Sequence, residues 1–153
     1  RAGGRLVQRA AYPPGMDTAA YAANDVLGGT IPFTQIVRPD ILTGKLEALR
    51  IIDLSAQNAE TDFFFFALAP TSLAANNAAF DMSDDTVPQY QGSVTVAALD
   101  YDAGADWSAA TIDNLRMSMV LPTGNLYVVA ITRATPTYAT AADFQLVLLF
   151  RQD

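Results

Sequence analysis

Hydrophobic residues along this chain come in short runs of strand length, separated by clusters of Gly, Pro, Asn and Asp. Thr30 to Val37 (TIPFTQIV) is rich in β-branched and aromatic residues, and Pro32 lacks the amide that a central strand would donate, which predicts an edge strand. Lys45 to Leu54 predicts a long strand whose alternation lapses at Ile51-Ile52, as if it became more buried toward its end. After a polar break at Gln57 to Asp62 comes Phe63-Phe64-Phe65-Phe66, read as the next, neighbouring strand. Side chains alternate along a strand, so Phe63 and Phe65 point one way and Phe64 and Phe66 the other, and both faces need cover. Ser93 to Leu99 is a further strand. Leu115 to Leu121 and Leu126 to Arg133 flank Pro122-Thr123-Gly124-Asn125, which predicts a hairpin, with proline at the first corner and glycine in the left-handed position after it. Phe144 to Phe150 closes the chain as a strand apolar on both sides.

The remaining stretches read as connections. Asp17 to Val26 is alanine-rich but soon interrupted by Asn24-Asp25 and Gly28-Gly29, and is expected to be extended. Thr71 to Tyr90 is irregular, with Ser83 ahead of Asp84-Asp85 suited to capping one short helical turn before Pro88. Asp100 to Asp113 reads as a second loop and holds the single tryptophan. Seven or eight strands without a long helix predict an all-β protein, an antiparallel β-sandwich or jelly roll. The doubly apolar strands require their outer faces to be covered by loops such as Thr71 to Tyr90 or by a neighbouring subunit. Loops are expected to do most of it, with subunit contacts made at the edges and by the N-terminal arm.

Composition narrows the chemistry. At 153 residues one domain is expected, and the absence of cysteine and histidine removes a disulfide framework, a thiol nucleophile, and the commonest general base and metal ligand. No apolar run approaches the ~18 residues of a membrane helix, and the first residues do not read as a signal peptide, so no membrane partner is expected. Three arginines fall within the first nine positions; from Ala10 onward six basic residues face sixteen acidic ones, a balance of −10 that would repel a phosphate backbone, so nucleic acid is not an expected partner. Tyr12-Pro13-Pro14-Gly15 predicts a boundary: residues 1–15 as an extended basic arm, solvated or ordered on an acidic partner, and residues 16–153 as a single domain.

Candidate sites are few. Asp100, Asp102 and Asp106 around Gly104 resemble part of a calcium loop but lack the later bidentate glutamate, and a solvated acidic loop is the simpler reading. Glu47, Asp53, Glu60 and Asp62 lie near the central strands, yet no nucleophile-base arrangement accompanies them, and an enzyme is not expected. Trp107, with Tyr101 before it, is either a ring folded over the sandwich end or an exposed contact for sugar or protein. The partner-binding candidates are therefore Arg1, Arg5, Arg9 and Tyr12 of the arm and Trp107; no catalytic, cofactor-binding or metal-ligating residue is assigned.

The succession Tyr21-Ala22-Ala23-Asn24-Asp25-Val26, then ALRIIDLSAQNAETDFFFFALAPTS, then Asn76-Asn77-Ala78-Ala79-Phe80 with Asp84-Asp85, and the closing apolar strand, resembles capsid decoration, or cement, proteins of tailed bacteriophages. The resemblance covers Tyr21 to Asp153, rests on segment order rather than an invariant motif, and leaves out the basic arm. It implies a β-sandwich or jelly-roll domain on the outside of the virion, binding the major capsid protein and itself as a homo-oligomer, often a trimer, and it transfers no catalytic residue. A carbohydrate- or receptor-binding sandwich of a phage fibre or tail is the alternative, and a sandwich hydrolase a third class.

Overall fold

The computed structural model describes residues 4–70 and 74–153. It is all-β, with ten strands in two antiparallel sheets. The strands are β1 (Leu6–Ala11), β2 (Val26–Phe33), β3 (Thr43–Asp53), β4 (Thr61–Phe66), β5 (Tyr90–Val96), β6 (Tyr101–Ala103), β7 (Ser108–Ile112), β8 (Met117–Val120), β9 (Leu126–Thr132) and β10 (Phe144–Gln152). The first sheet runs β1-β10-β3-β7-β6 with β8 also on β3, and the second runs β2-β9-β4-β5. The pairings are nested: first strand with last (β1 with β10), second with ninth, third with eighth, and β4 with β5 innermost. This is one long antiparallel ribbon rolled up so that successive pairs alternate between sheets, the jelly-roll arrangement. The roll leaves β1, β6 and β8 as the edges of the first sheet, and β2 and β5 as the edges of the second. Pro32 sits on β2, where a missing amide costs no central pairing.

The lapse of alternation in the third strand has a local cause. Along β10 the register moves from Leu149 opposite Ala48 to Phe150 opposite Leu46, so Glu47 is an extra residue on β3. Such a bulge reverses which parity faces inward. Gly44 and Leu46 are buried before it, and Leu49, Ile51 and Asp53 after it. The Glu47 carbonyl, freed from the ladder, accepts the Leu115 N–H at 3.0 Å. Here the partner on the far side of β3 also changes, from β8 on Thr43–Leu46 to β7 on Leu49–Asp53.

The four phenylalanines behave as their alternation requires. Phe63 and Phe65 are fully buried between the sheets, Phe63 stacking on Phe144 of β10 with centroids 6.5 Å apart. Phe66 is equally buried on the opposite face, in a second small core with Val26, Val129 and Ile131, while Phe64 is partly buried there. The cover comes from the connection between β4 and β5 and from the first residue of β5: Phe80 lies 5.8 Å from Phe64 and 6.2 Å from Phe66, Tyr90 lies 5.8 and 5.9 Å from the same rings, and Met82 and Ala74 complete the lid. Asn76 ties the lid down, its Oδ1 accepting the Tyr21 hydroxyl and the Gly28 N–H, both at 2.7 Å. The expected loop cover is therefore present on this face; residues 71–73 of that connection lie outside the described residues.

Five expectations are corrected. Within the expected arm, residues 1–3 lie outside the described residues, and the part from Leu6 onward is not detached from the fold. Leu6–Ala11 pairs along its whole length with β10, and Val7, opposite Phe150, is buried. Asp17 to Asn24 is not a regular strand: Asp17 and Asp25 accept the N–H groups of Ala19 and Ala22 at 3.0 and 2.8 Å, and these local turns replace a ladder until Asp25 and Val26. The third and fourth strands, adjacent in sequence, lie in opposite sheets instead of pairing. The same is true of the expected hairpin at Leu115 to Arg133. Its turn forms, with Gly124 at φ +78° donating to the Leu121 carbonyl at 2.8 Å. But Leu121 and Leu126 are both fully buried, and the chain crosses the core between them, from β8 in one sheet to β9 in the other. Finally, Asp100 to Asp113 contains the β6–β7 hairpin, which packs on β3 and helps bring the strand count to ten.

Candidate functional site

Of the partner-binding candidates, Arg1 lies outside the described residues. Arg5, Val7, Arg9 and Ala11 occupy the parity of the first strand that turns toward the second sheet, since Val7 is buried and Ala11 packs on the main core. Arginines thus stand where a central strand would carry aliphatic residues. They line a concavity of about 190 Å³ at the open side of the sandwich, facing Gln35, Val37 and Arg38 of the loop after β2, with Gln152 from the end of β10. Arg9 reaches across it, donating to the carbonyls of Thr34 and Gln35 at 3.2 and 3.3 Å. Arg38 makes only a loose contact with Asp40, 3.9 Å on an exposed surface, and Arg5 is exposed. Gln152 is 3% exposed; its Nε2 donates to the Ile36 carbonyl at 2.9 Å, and its buried Oε1 has no hydrogen-bond partner among the described residues. Tyr12 is exposed just beyond the strand.

A second surface adjoins the first. The outer face of the first sheet carries Leu6, Gln8, Ala48, Leu149 and Arg151 in register, with Val120 on β8. Leu6 is 47% and Val120 57% exposed, and Leu149 is partly exposed above a shallow depression of about 390 Å³ shared with Leu6, Ala48 and Asn114. The Arg151–Glu47 ion pair, 3.1 Å, crosses its rim. No segment among the described residues lies over this face as the Ala74–Tyr90 lid lies over the other.

Trp107 and Tyr101 are separated by their hairpin. Tyr101 turns inward, packs against the main core and donates its hydroxyl to the Ala59 carbonyl at 2.9 Å. Burial, with the nearby Asp53 charge, pushes its ionisation far above the usual tyrosine range. Trp107 stands at the tip, 48% exposed, its indole against Gly104 and its carbonyl accepting the Gly104 N–H at 2.8 Å. Neither wholly a plug nor a free ring, it presents one side to solvent.

Of the carboxylates near the central strands, Glu47, Asp53 and Asp62 have structural partners. Asp62 pairs with Arg133 at 2.8 Å and accepts the Thr95 hydroxyl at 2.6 Å; Glu60 is exposed. Asp53 is almost fully buried, its two oxygens capping the following turn by accepting the N–H groups of Ser55 and Gln57, each at 2.9 Å. Desolvation raises its pKa against those bonds. Asp143 moves the other way, lowered chiefly by the hydroxyls of Ser55, at 2.6 Å, and Thr140, at 2.7 Å. Asp100 accepts the Ala97 N–H at 2.8 Å, capping a short 3-10 turn, while Asp102 and Asp106 extend into solvent on the hairpin.

The fold and these surfaces define the class as a ten-stranded jelly roll with one bare sheet face and an arginine-lined mouth. No family model matches the sequence, and no curated protein matches it. Among solved structures the chain is similar to a chain of tomato aspermy virus, at 10% identity over 99% of this chain and 78% of that one, TM-score 0.46. It is also similar to a carbohydrate-binding module of the family 9 glycoside hydrolase Cel9A from Ruminococcus flavefaciens, at 7% identity over 99% of both chains, TM-score 0.41. A third is the tobacco streak virus coat protein, at 11% identity over 100% of this chain and 88% of that one, TM-score 0.33. At these scores the likenesses carry no argument for function.

Proposed function

We propose that this chain is a structural virion protein that binds the outside of a phage head and holds neighbouring major capsid subunits together, acting as a homo-oligomer, in the simplest form a trimer. The observation that carries the reading is the asymmetry of the sandwich. One outer face is sealed by the chain's own lid of Phe80, Met82 and Tyr90, whereas the other leaves Leu6, Leu149 and Val120 partly in water beside an ion pair. Apolar residues set in a polar rim suit a protein-protein contact. The segment-order resemblance to decoration proteins points the same way, and the carboxylates near the central strands serve the fold rather than a reaction. Clamping needs no chemistry: a protein that binds only the assembled shell stabilises it by mass action, by about 2.7 kcal/mol per site at a free concentration a hundred times Kd.

The test is sedimentation of the protein with purified heads, alongside its solution mass. Leu6→Asp and Val120→Asp, both at exposed positions, are expected to leave the fold intact and abolish head binding. A strictly monomeric protein that ignores heads would sink the reading, as would full binding by both variants. The exposed Trp107 favours a second reading, carbohydrate or receptor binding at the hairpin tip. Glycan-array binding lost in Trp107→Ala would support it over the first.

A further inference from the structure

The concavity between the first strand and the loop after β2 has features that edge protection does not explain. Inward-pointing charges on an edge strand are a known device against edge-to-edge pairing, and Arg9, spanning to the carbonyls of Thr34 and Gln35, meets that description. Arg5 and Arg38 do not. Among the described residues Arg5 caps no carbonyl, and Arg38 is held only by the loose, exposed contact with Asp40. Beneath them Gln152 is buried with an unused acceptor, Oε1, although a buried polar atom without a partner costs about 1–3 kcal/mol. Two exposed guanidinium groups, one of them only loosely held, share this concavity with an unpaired amide oxygen, and together they describe a receptor for a group that accepts hydrogen bonds with negative charge and donates one close by.

We propose that this groove is a binding site for a carboxylate side chain presented by a peptide segment of a neighbouring protein. The carboxylate would lie between Arg5 and Arg38, and a backbone N–H of the same segment would satisfy Gln152 Oε1. Arginine suits this task because its planar fork matches a carboxylate in two parallel hydrogen bonds. A peptide is favoured over a nucleic acid on two grounds. The cavity, about 190 Å³, takes a side chain or two rather than a strand, and the chain carries a net charge of −7 that repels a polyanion at longer range. The proposal deepens the reading of the chain as a docking protein, and rests on it only for the identity of the neighbour.

The probe is a blocked glycine-serine hexapeptide carrying one central aspartate, titrated by calorimetry into the whole protein at low salt, with inorganic phosphate and a single-stranded oligonucleotide as parallel arms. The peptide is expected to bind, with Kd rising at least tenfold in Arg5→Ala/Arg38→Ala and again on raising ionic strength from 20 to 200 mM. Melting temperature should be unchanged in that variant, whose altered residues are exposed. Gln152→Glu, which sets a charge under the groove, should abolish the peptide signal; if it does not fold, the arginine pair alone decides. Peptide binding that ignores the arginine substitutions overturns the proposal, as does no binding at all. Equal or tighter binding of phosphate or the oligonucleotide overturns the assignment to a peptide carboxylate. Because no capsid is present in this titration, its failure leaves head binding standing, and failure to bind heads leaves the peptide result standing.

Discussion

Phe66→Ala tests whether the lid is part of the folded unit. Phe66 is fully buried on the outer face of its sheet, touching Phe80 and Tyr90 with centroids near 6 Å and packed on Val26, Val129 and Ile131. A buried phenylalanine takes about 150–250 Å² out of water, of which the ring lost on truncation represents roughly 2–4 kcal/mol at 25 cal/mol per Å². The cavity left beneath a partly relaxing lid adds to this, so a loss of about 3–5 kcal/mol is expected, in line with core Phe→Ala changes generally. Phe64→Ala, half-buried, should cost less than half as much. Urea unfolding at constant protein concentration is the assay, with a double-mutant cycle between Phe66 and Phe80, whose coupling should fall at about 0.5–1.5 kcal/mol. A loss under about 1 kcal/mol for Phe66→Ala, or strict additivity with Phe80→Ala, would refute the lid. A loss that varied with protein concentration would assign the cover to a second copy instead.

Removing residues 1–11 should destabilise the domain by more than about 2 kcal/mol, because it uncovers the β10 edge and exposes Phe150 where Val7 now packs; an unchanged melting temperature would return this segment to a passive arm. Asp143 has a folded pKa below that of the unfolded chain, so its contribution is fully present above about pH 4 and is lost as pH falls through the depressed folded value. The stability advantage of the wild type over Asp143→Asn should therefore be present at pH 6 and vanish toward pH 2, and a gap independent of pH would contradict the hydrogen-bond assignment to Ser55 and Thr140.

The sequence made the all-β class legible because most strands carry β-branched and aromatic runs between strong turn signals, and the tetra-phenylalanine run even announced that its second face needed cover. What it did not carry was pairing. Pro122 to Asn125 encodes a turn whether the flanking strands pair or part, and only the burial of both Leu121 and Leu126 shows that the chain crosses the core there. The β6–β7 hairpin was not legible because β6 has three residues and β7 opens on Ser108-Ala109-Ala110, small residues that leave only Thr111 and Ile112 to signal a strand. Similarly, the first strand was hidden by its composition: arginine at an inward position, Arg9, and at Arg5 just before the strand, erases the alternation by which a strand is recognised. The glutamate bulge in β3 blurred its faces in the same way, by shifting parity mid-strand. Of the candidate docking residues, Arg5, Arg9 and Trp107 were legible as residue types, but the arginine groove was not, since Arg38 and Gln152 join it only through the roll.

An image of the native particle, at a resolution sufficient to fit a jelly roll of this size, tests the central claim most directly. The account predicts density for this domain on the outer surface of the head, spanning adjacent major capsid subunits, with the Leu6–Leu149–Val120 face and the arginine groove turned toward protein neighbours. Density confined to a fibre or tail tip with the Trp107 hairpin outermost, or a head surface bare of the domain, would contradict it.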